Sequence, residues 1–301
     1  MRDRRAENGR CAAGDCRHRP GLSFRKDLHG IREDAVTDPD NAIICERRGR
    51  TAWIRLNRPK TLNALTIEMV DAFESHLVEL ERDETLCALV VTGGERAFSA
   101  GADLKELQQR ADGSGYESGP GTFSDRLNTF LCRLEEFPLP VIAAVRGWAM
   151  AGGLEIVLAC DLLIAGESAR FGDAHANYGL LPGGGSSVRL PRKVGPMRAR
   201  EMMFTGDSYP AADMKLAGLV TTVVADTAVE DEAGRLADRL AQRSPAGLRR
   251  MKSLLTYSAE QPKEAALRME QLQWALHATS HDLREGISAF REKRTPLFTG
   301  N

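Results

Sequence analysis

Apolar residues along this chain come in two spacings. Leu86 to Thr92 and Leu139 to Val145 are short, nearly continuous apolar runs, which predict buried strands. Ala42 to Cys45 and Thr51 to Leu56 read as two shorter strands around the charged turn Glu46 to Arg50, and Leu162 to Ala165, Ala169 to Phe171 and Leu219 to Val224 as three more. The second spacing is helical. Ile67, Val70, Phe73, Leu77 and Leu80 fall on one stripe with Glu68, Asp71, Glu74 and Glu79 outside it, and Thr66 stands where an N-cap belongs. From Pro196 onward helical spacing dominates, over 196–205, 211–217, 227–243, 246–257, 260–279 and 282–292. The pattern predicts a mixed alternating region followed by a helical tail, of the kind that packs on a neighbouring subunit or over a binding site.

Two strand exits carry the candidate chemistry. After Leu139 to Val145 the chain must turn tightly through Gly147 to Gly153 and start a helix at or near Gly152. A helix N-terminus offers unpaired N–H groups and a partial positive charge, and without a Cβ at Gly152 and Gly153 a ligand oxygen can approach the backbone. Glu155 follows one turn later, so a carboxylate stands beside an oxyanion-binding backbone, as acid–base chemistry on a carbonyl compound requires. The same pattern occurs at Gly93 to Leu104, where Asp103 can cap the next helix. Two such turns brought together could grip one oxygen from both sides. Pro59 keeps Asn57 to Leu65 in a loop, and the Gly- and Ser-rich residues 110–123 are expected to form a mobile loop over the site.

Composition narrows the function classes. A chain of 301 residues with a net charge of -1 does not present a dominant nucleic-acid surface, and no apolar run approaches the roughly 18 residues of a membrane span. The six cysteines, with Cys87, Cys132 and Cys160 in apolar settings, form no disulfide framework and point to a reduced, cytoplasmic protein. Residues 1–40 show no hydrophobic period, mix Arg with Asp and Glu, and are expected to be a disordered extension. No metal site is expected. Cys11, Cys16 and His18 match no zinc spacing, and His29, His76, His277 and His281 lack an accompanying ligand set. Gly183 to Gly185 are not followed by Gly-Lys-Ser/Thr, so a phosphate loop is not indicated. His175 alone among the histidines lies near turn-forming glycines, and Asp173, two residues earlier, can orient its imidazole if the loop turns inward.

These stretches together resemble the crotonase superfamily, the enoyl-CoA hydratase/isomerase family, over roughly residues 41–298. The resemblance is carried by Leu56-Asn57-Arg58-Pro59-Lys60 with Asn63-Ala64-Leu65, by Phe98 to Lys105, by Gly147 to Asp161, and by Ala289 to Arg294. It implies an α/β fold, a spiral of ββα units over 41–225, with a C-terminal helical region over 226–301 that builds trimers or hexamers. It also implies an acyl-CoA thioester as substrate, with coenzyme A belonging to the substrate and no separate cofactor. By motif position Ala102 and Gly152 would supply the oxyanion-hole N–H groups, and Lys60, Ala64, Ala100, Asp103, Leu104, Lys105 and Lys293 would lie against CoA. Hydratases of this family hold water between two glutamates. Glu155 falls on the first of these positions. The second falls on His175, since Phe171-Gly172 and Gly179 to Gly183 fix the register, and this is a departure from the family pattern.

From the sequence, three outcomes stand open. The preferred one is hydration of a 2-enoyl-CoA with Glu155 and His175 sharing the proton transfers. The same enolate could instead lead to isomerisation, decarboxylation or thioester hydrolysis, and a homologue could bind acyl-CoA without catalysis. An unperturbed histidine titrates near 6.5 against about 4.3 for glutamate, which suits His175 to proton transfer near neutral pH.

Overall fold

The computed structural model describes residues 41–111 and 119–300. The extension expected over 1–40, and residues 112–118 of the expected loop, lie outside the described residues.

The chain opens with a hairpin, β1 (Ile43–Arg48) and β2 (Thr51–Leu56), whose last pair is Arg48 with Thr51. Three successive turns of a spiral follow, and each contributes one strand to a large sheet and one short strand to a small one. The pairs are β3 (Ala88–Thr92) with β4 (Ala97–Ser99), β5 (Val141–Val145) with β6 (Trp148–Met150), and β7 (Leu162–Gly166) with β8 (Arg170–Gly172). Two later strands, β9 (Tyr209–Pro210) and β10 (Thr222–Val224), finish the sheets, which run β1-β2-β3-β5-β7-β10 and β4-β6-β8-β9. From β2 to β10 the large sheet is parallel. In the small sheet β4, β6 and β8 are parallel and β9 runs against β8. The mixed α/β fold and the C-terminal helices are those of the expected spiral. Of the small sheet, the sequence shows only β8, as Ala169 to Phe171; β4 and β6, three-residue strands inside glycine-rich turns, are too short to show a period.

The helices cover both faces of the large sheet. α1 (Ile67–Leu80) starts where Thr66 Oγ1 accepts the N–H of Met69 at 3.2 Å, and it buries Met69, Val70, Phe73 and Leu77. α2 (Leu104–Arg110) is short, and α3 (Phe123–Glu136) lies against α1, with the rings of Phe73 and Phe130 4.7 Å apart between centroids. α4 (Gly152–Ala159) is buried along its whole length, apolar on every side except at Glu155. α5 (Ser186–Val194), α6 (Pro196–Thr205) and α7 (Ala211–Leu216) follow. Three glycines before α5 and Pro191 inside it hide that helix from a propensity reading.

α8 (Val229–Ala241) packs on the other face of the large sheet. Its Val229, Ala233 and Ala237 cover Trp53, Ala88, Val90, Ile142, Ala144 and Ile164. The central strands are therefore buried on both faces, and that is why they read as continuous apolar runs rather than alternations. By its packing α8 belongs to the core, although the sequence groups it with the tail. α9 (Pro245–Ser258) is tied to the core by Lys252, whose Nζ donates to Leu139 O at 3.0 Å and pairs with Asp161 at 2.7 Å. α10 (Lys263–Ala278) buries none of its residues, and α11 (His281–Glu292) leaves Phe290 86% exposed.

Candidate active site

Glu155 is the fourth residue of α4 and is buried. Its Oε1 accepts two backbone N–H groups, from Gly184 at 2.8 Å and Ser186 at 3.1 Å, while Oε2 is buried without a partner. One donor stands in the Gly183 to Gly185 loop and the other is the first residue of α5, and the loop crosses the carboxylate so closely that a Cβ on Gly184 would lie 2.6 Å from Oε2. Glycine is required there for approach. Burial pushes the Glu155 carboxyl above its ordinary range; the Ser186 N–H, the charge of His175 and the Gly184 N–H oppose that, and the charge of Asp173 adds to it.

His175 follows β8, at the start of a 3-10 turn over His175–Tyr178 that Ala174 enters with φ of 58°. Its Nδ1 lies 3.0 Å from Oδ1 of Asp173, a carboxylate that is itself buried. With Asp173 ionised, Nδ1 carries a proton and donates, so Nε2 is the nitrogen left to gain or lose one. Burial works against the charged ring, but the hydrogen bond and charge of Asp173, together with the charge of Glu155, outweigh it and hold His175 above its ordinary value.

The two strand exits meet. Leu65 donates its N–H to Gly101 O at 2.7 Å and accepts that of Asp103 at 2.9 Å, a parallel bridge opposite Ala102. Ladder geometry turns the N–H of Ala102 away from Leu65. A Cβ on Gly152 would lie 3.6 Å from Ala102 N, and one on Gly101 only 3.2 Å from Gly152 N, so the two backbone nitrogens are close neighbours. Gly152 is reached through Ala151, at φ 47° and ψ -118°. An alanine there carries roughly 1–3 kcal/mol of backbone strain. It is held by its N–H to Gly172 O at 3.0 Å and by the first bond of α4, from Glu155 N at 2.9 Å.

The residues expected along CoA fall into two groups. The loop carrying Lys60 and Ala64 is stitched to the segment carrying Ala100, Leu104 and Lys105. Buried Asn63 donates to Ala97 O at 3.1 Å and Phe98 O at 3.0 Å, Ser99 Oγ donates to Asn63 O at 2.8 Å, and Ala100 N to Leu62 O at 2.9 Å. Lys60, Ala100, Leu104 and Lys105 are exposed along this rim and Ala64 is half-buried. Asp103 is committed to the scaffold: Oδ1 caps α2 through Lys105 N and Glu106 N, and Oδ2 takes the Arg58 guanidinium at 3.2 Å. Lys293 is exposed at the C-cap of α11, and the hydrogen bonds that stitch the rim do not reach it. Among the described residues no group of three His, Cys, Asp or Glu side chains could hold a metal ion.

Nothing in the sequence marks Gly184 and Ser186 as donors to Glu155, or Arg189 as the partner of Gly184 O. Backbone donors have no side-chain signature, and the only signal was a glycine run ahead of an arginine.

The spiral brings the backbone nitrogens of Ala102 and Gly152 close together at the start of α4, and one turn into that helix stands Glu155, held by two backbone donors and acted on by the charges of His175 and Asp173. The chain belongs to the enoyl-CoA hydratase/isomerase family, whose model matches residues 46–301. It is 37% identical to the 2,3-dehydroadipyl-CoA hydratase of Escherichia coli (strain K12), over 86% of this chain and 98% of that protein. It is 36% identical to the mitochondrial enoyl-CoA hydratase of Pongo abelii, over 85% and 87% of the two chains. The crystal structure of an enoyl-CoA hydratase from Bacillus anthracis is similar with a TM-score of 0.81 and 32% identity, covering 87% of this chain and all of that one.

Proposed function

We propose that this chain adds water across the double bond of a 2-enoyl-CoA thioester, or runs the reverse dehydration. Water attacks C3 while Oε2 of Glu155 takes one of its protons. The π pair moves into the thioester, and the enolate oxygen is met by the N–H groups of Ala102 and Gly152. Nε2–H of His175 then protonates C2, and solvent carries the proton from Glu155 back to His175. The directions of both pKa shifts suit these roles, since a raised carboxyl is a stronger base and a raised imidazole is an available acid near neutral pH.

The observation that carries this reading is the inequality of the two Glu155 oxygens, one held by two backbone donors and the other buried without a partner. The scheme calls on no cofactor beyond the CoA of the substrate, for which the exposed Lys60 and Lys105 supply charge at the rim. Mass analysis of the product from crotonyl-CoA tests it. A gain of one water supports hydration; an unchanged acyl mass, loss of carbon dioxide or free CoA overturns it.

Trp274, 62% exposed on α10, and Phe290 on α11 support assembly into a trimer or hexamer through the tail. Sedimentation showing a monomer at micromolar concentration would remove that part. The free thiols of Cys45, Cys87, Cys132 and Cys160 support a cytoplasmic setting, and among the described residues no helix is long and apolar enough to cross a membrane.

A further inference from the structure

Arg189 takes no part in the chemistry above, yet it closes the loop that holds Glu155. It is the fourth residue of α5 and is buried. Its guanidinium spans two elements: Nη1 donates to Gly184 O at 2.7 Å, while Nε at 2.8 Å and Nη2 at 2.7 Å fork onto Oε2 of Glu135 on α3. Nη2 also lies 3.6 Å from Cys132 Sγ. The peptide that Arg189 clamps, between Gly184 and Gly185, is flanked on each side by one of the two peptides whose N–H groups bind Glu155. Gly185 sits at φ 98°, so the clamped peptide leads into a backbone conformation that an L side chain would resist. Removing a guanidinium from water is costly, and a surface tie between α3 and α5 would not need it.

We propose that Arg189 is a positioning residue for Glu155: by fixing the Gly184 carbonyl it keeps both N–H donors on Oε1 and leaves Oε2 free to meet water. This rests on the reading of Glu155 as the base. The charged groups that act on Glu155 are His175 and Asp173 from the segment after β8, while Arg189 from α5 and its partner Glu135 from α3 reach it through the Gly184 carbonyl. Backbone donors favour the carboxylate, so releasing the loop removes a force that holds its pKa down.

The test is the pH dependence of kcat and kcat/KM on crotonyl-CoA for wild type, Arg189→Lys and Arg189→Met. Both variants are expected to lose about ten- to a hundred-fold in kcat, the scale on which small misplacements of a catalytic group act, with KM little changed. The acidic limb moves to higher pH in both. Lysine keeps the charge but not the fork, so a shift confined to the methionine variant would mean a direct field effect and overturn the positioning role. A lowered Tm with a wild-type kcat and acidic limb would overturn it as well. Should Arg189→Met fail to fold, Glu135→Gln loosens the same fork from its half-exposed end, and an unchanged limb and kcat there would equally overturn the positioning role. Glu155→Gln in the same assay separates the two readings: wild-type turnover sinks the base itself, and the positioning role with it. An inactive Glu155→Gln beside wild-type behaviour in the Arg189 variants sinks only the positioning role.

Discussion

Nδ1 of His175 and Oδ1 of Asp173 lie 3.0 Å apart, so the imidazole that departs from the family's second glutamate comes with its own carboxylate to orient it. Burial disfavours the charged ring, and it is the Asp173 bond and charge, with the charge of Glu155, that raise its pKa. Asp173→Asn keeps an acceptor but removes the charge. The basic limb of the activity profile, which reports loss of the imidazolium, is expected to move to lower pH, and kcat near neutral pH to fall. The stability sign agrees. A raised histidine pKa contributes stability that is full below about 6.5 and lost as pH rises through the folded value. The excess stability of wild type over Asp173→Asn should therefore shrink as pH rises through that window, as thermal melts on both sides of it would record.

Glu155 titrates in the opposite sense. Its carboxyl is raised by burial, so the folded state is penalised for the charge once pH exceeds the unfolded value of about 4.3. Glu155→Gln removes that penalty and keeps an oxygen for the two N–H donors. We expect it to abolish turnover while raising Tm at neutral pH, on the scale of roughly 2–4 °C per kcal/mol for a domain near this size. The gain should vanish near pH 4, where the wild-type carboxyl is protonated. A variant that melts below wild type at neutral pH would contradict the burial argument.

Much of this site was legible in the chain. The two glycine-rich strand exits, Glu155 one turn into a helix, and the Asp173–His175 spacing were all visible as patterns, because each depends on local backbone conformation. What was hidden depends on packing. β4 and β6 are too short to show a period, α5 is masked by three glycines and Pro191, and α8 looks like the rest of the helical tail until its alanines are seen against Trp53 and Ile142. The Gly184 and Ser186 donors to Glu155 are main-chain atoms 29 and 31 residues away, and only the fold brings them there.

The neighbouring N–H groups of Ala102 and Gly152 give a third expectation. A methyl at Gly152 would lie 3.6 Å from Ala102 N and 3.2 Å from Leu65 Cδ1, a contact that flexible leucine can relieve. Gly152→Ala should therefore fold, yet place a methyl where the proposed scheme seats the thioester oxygen. Loss of one oxyanion donor costs about 100- to 1000-fold in kcat, and that is the expected fall. A variant that keeps kcat and raises only KM would show that these N–H groups bind substrate without stabilising the transition state.

In the proposed reaction Glu155 and His175 together hydrate an enoyl thioester. The most direct measurement is the loss of enoyl absorbance of crotonyl-CoA with wild type, Glu155→Ala and His175→Ala, each first shown to be folded. Turnover by wild type that collapses in both variants is the predicted result. Wild-type rates in either variant, or turnover that appears only in His175→Glu, would contradict it.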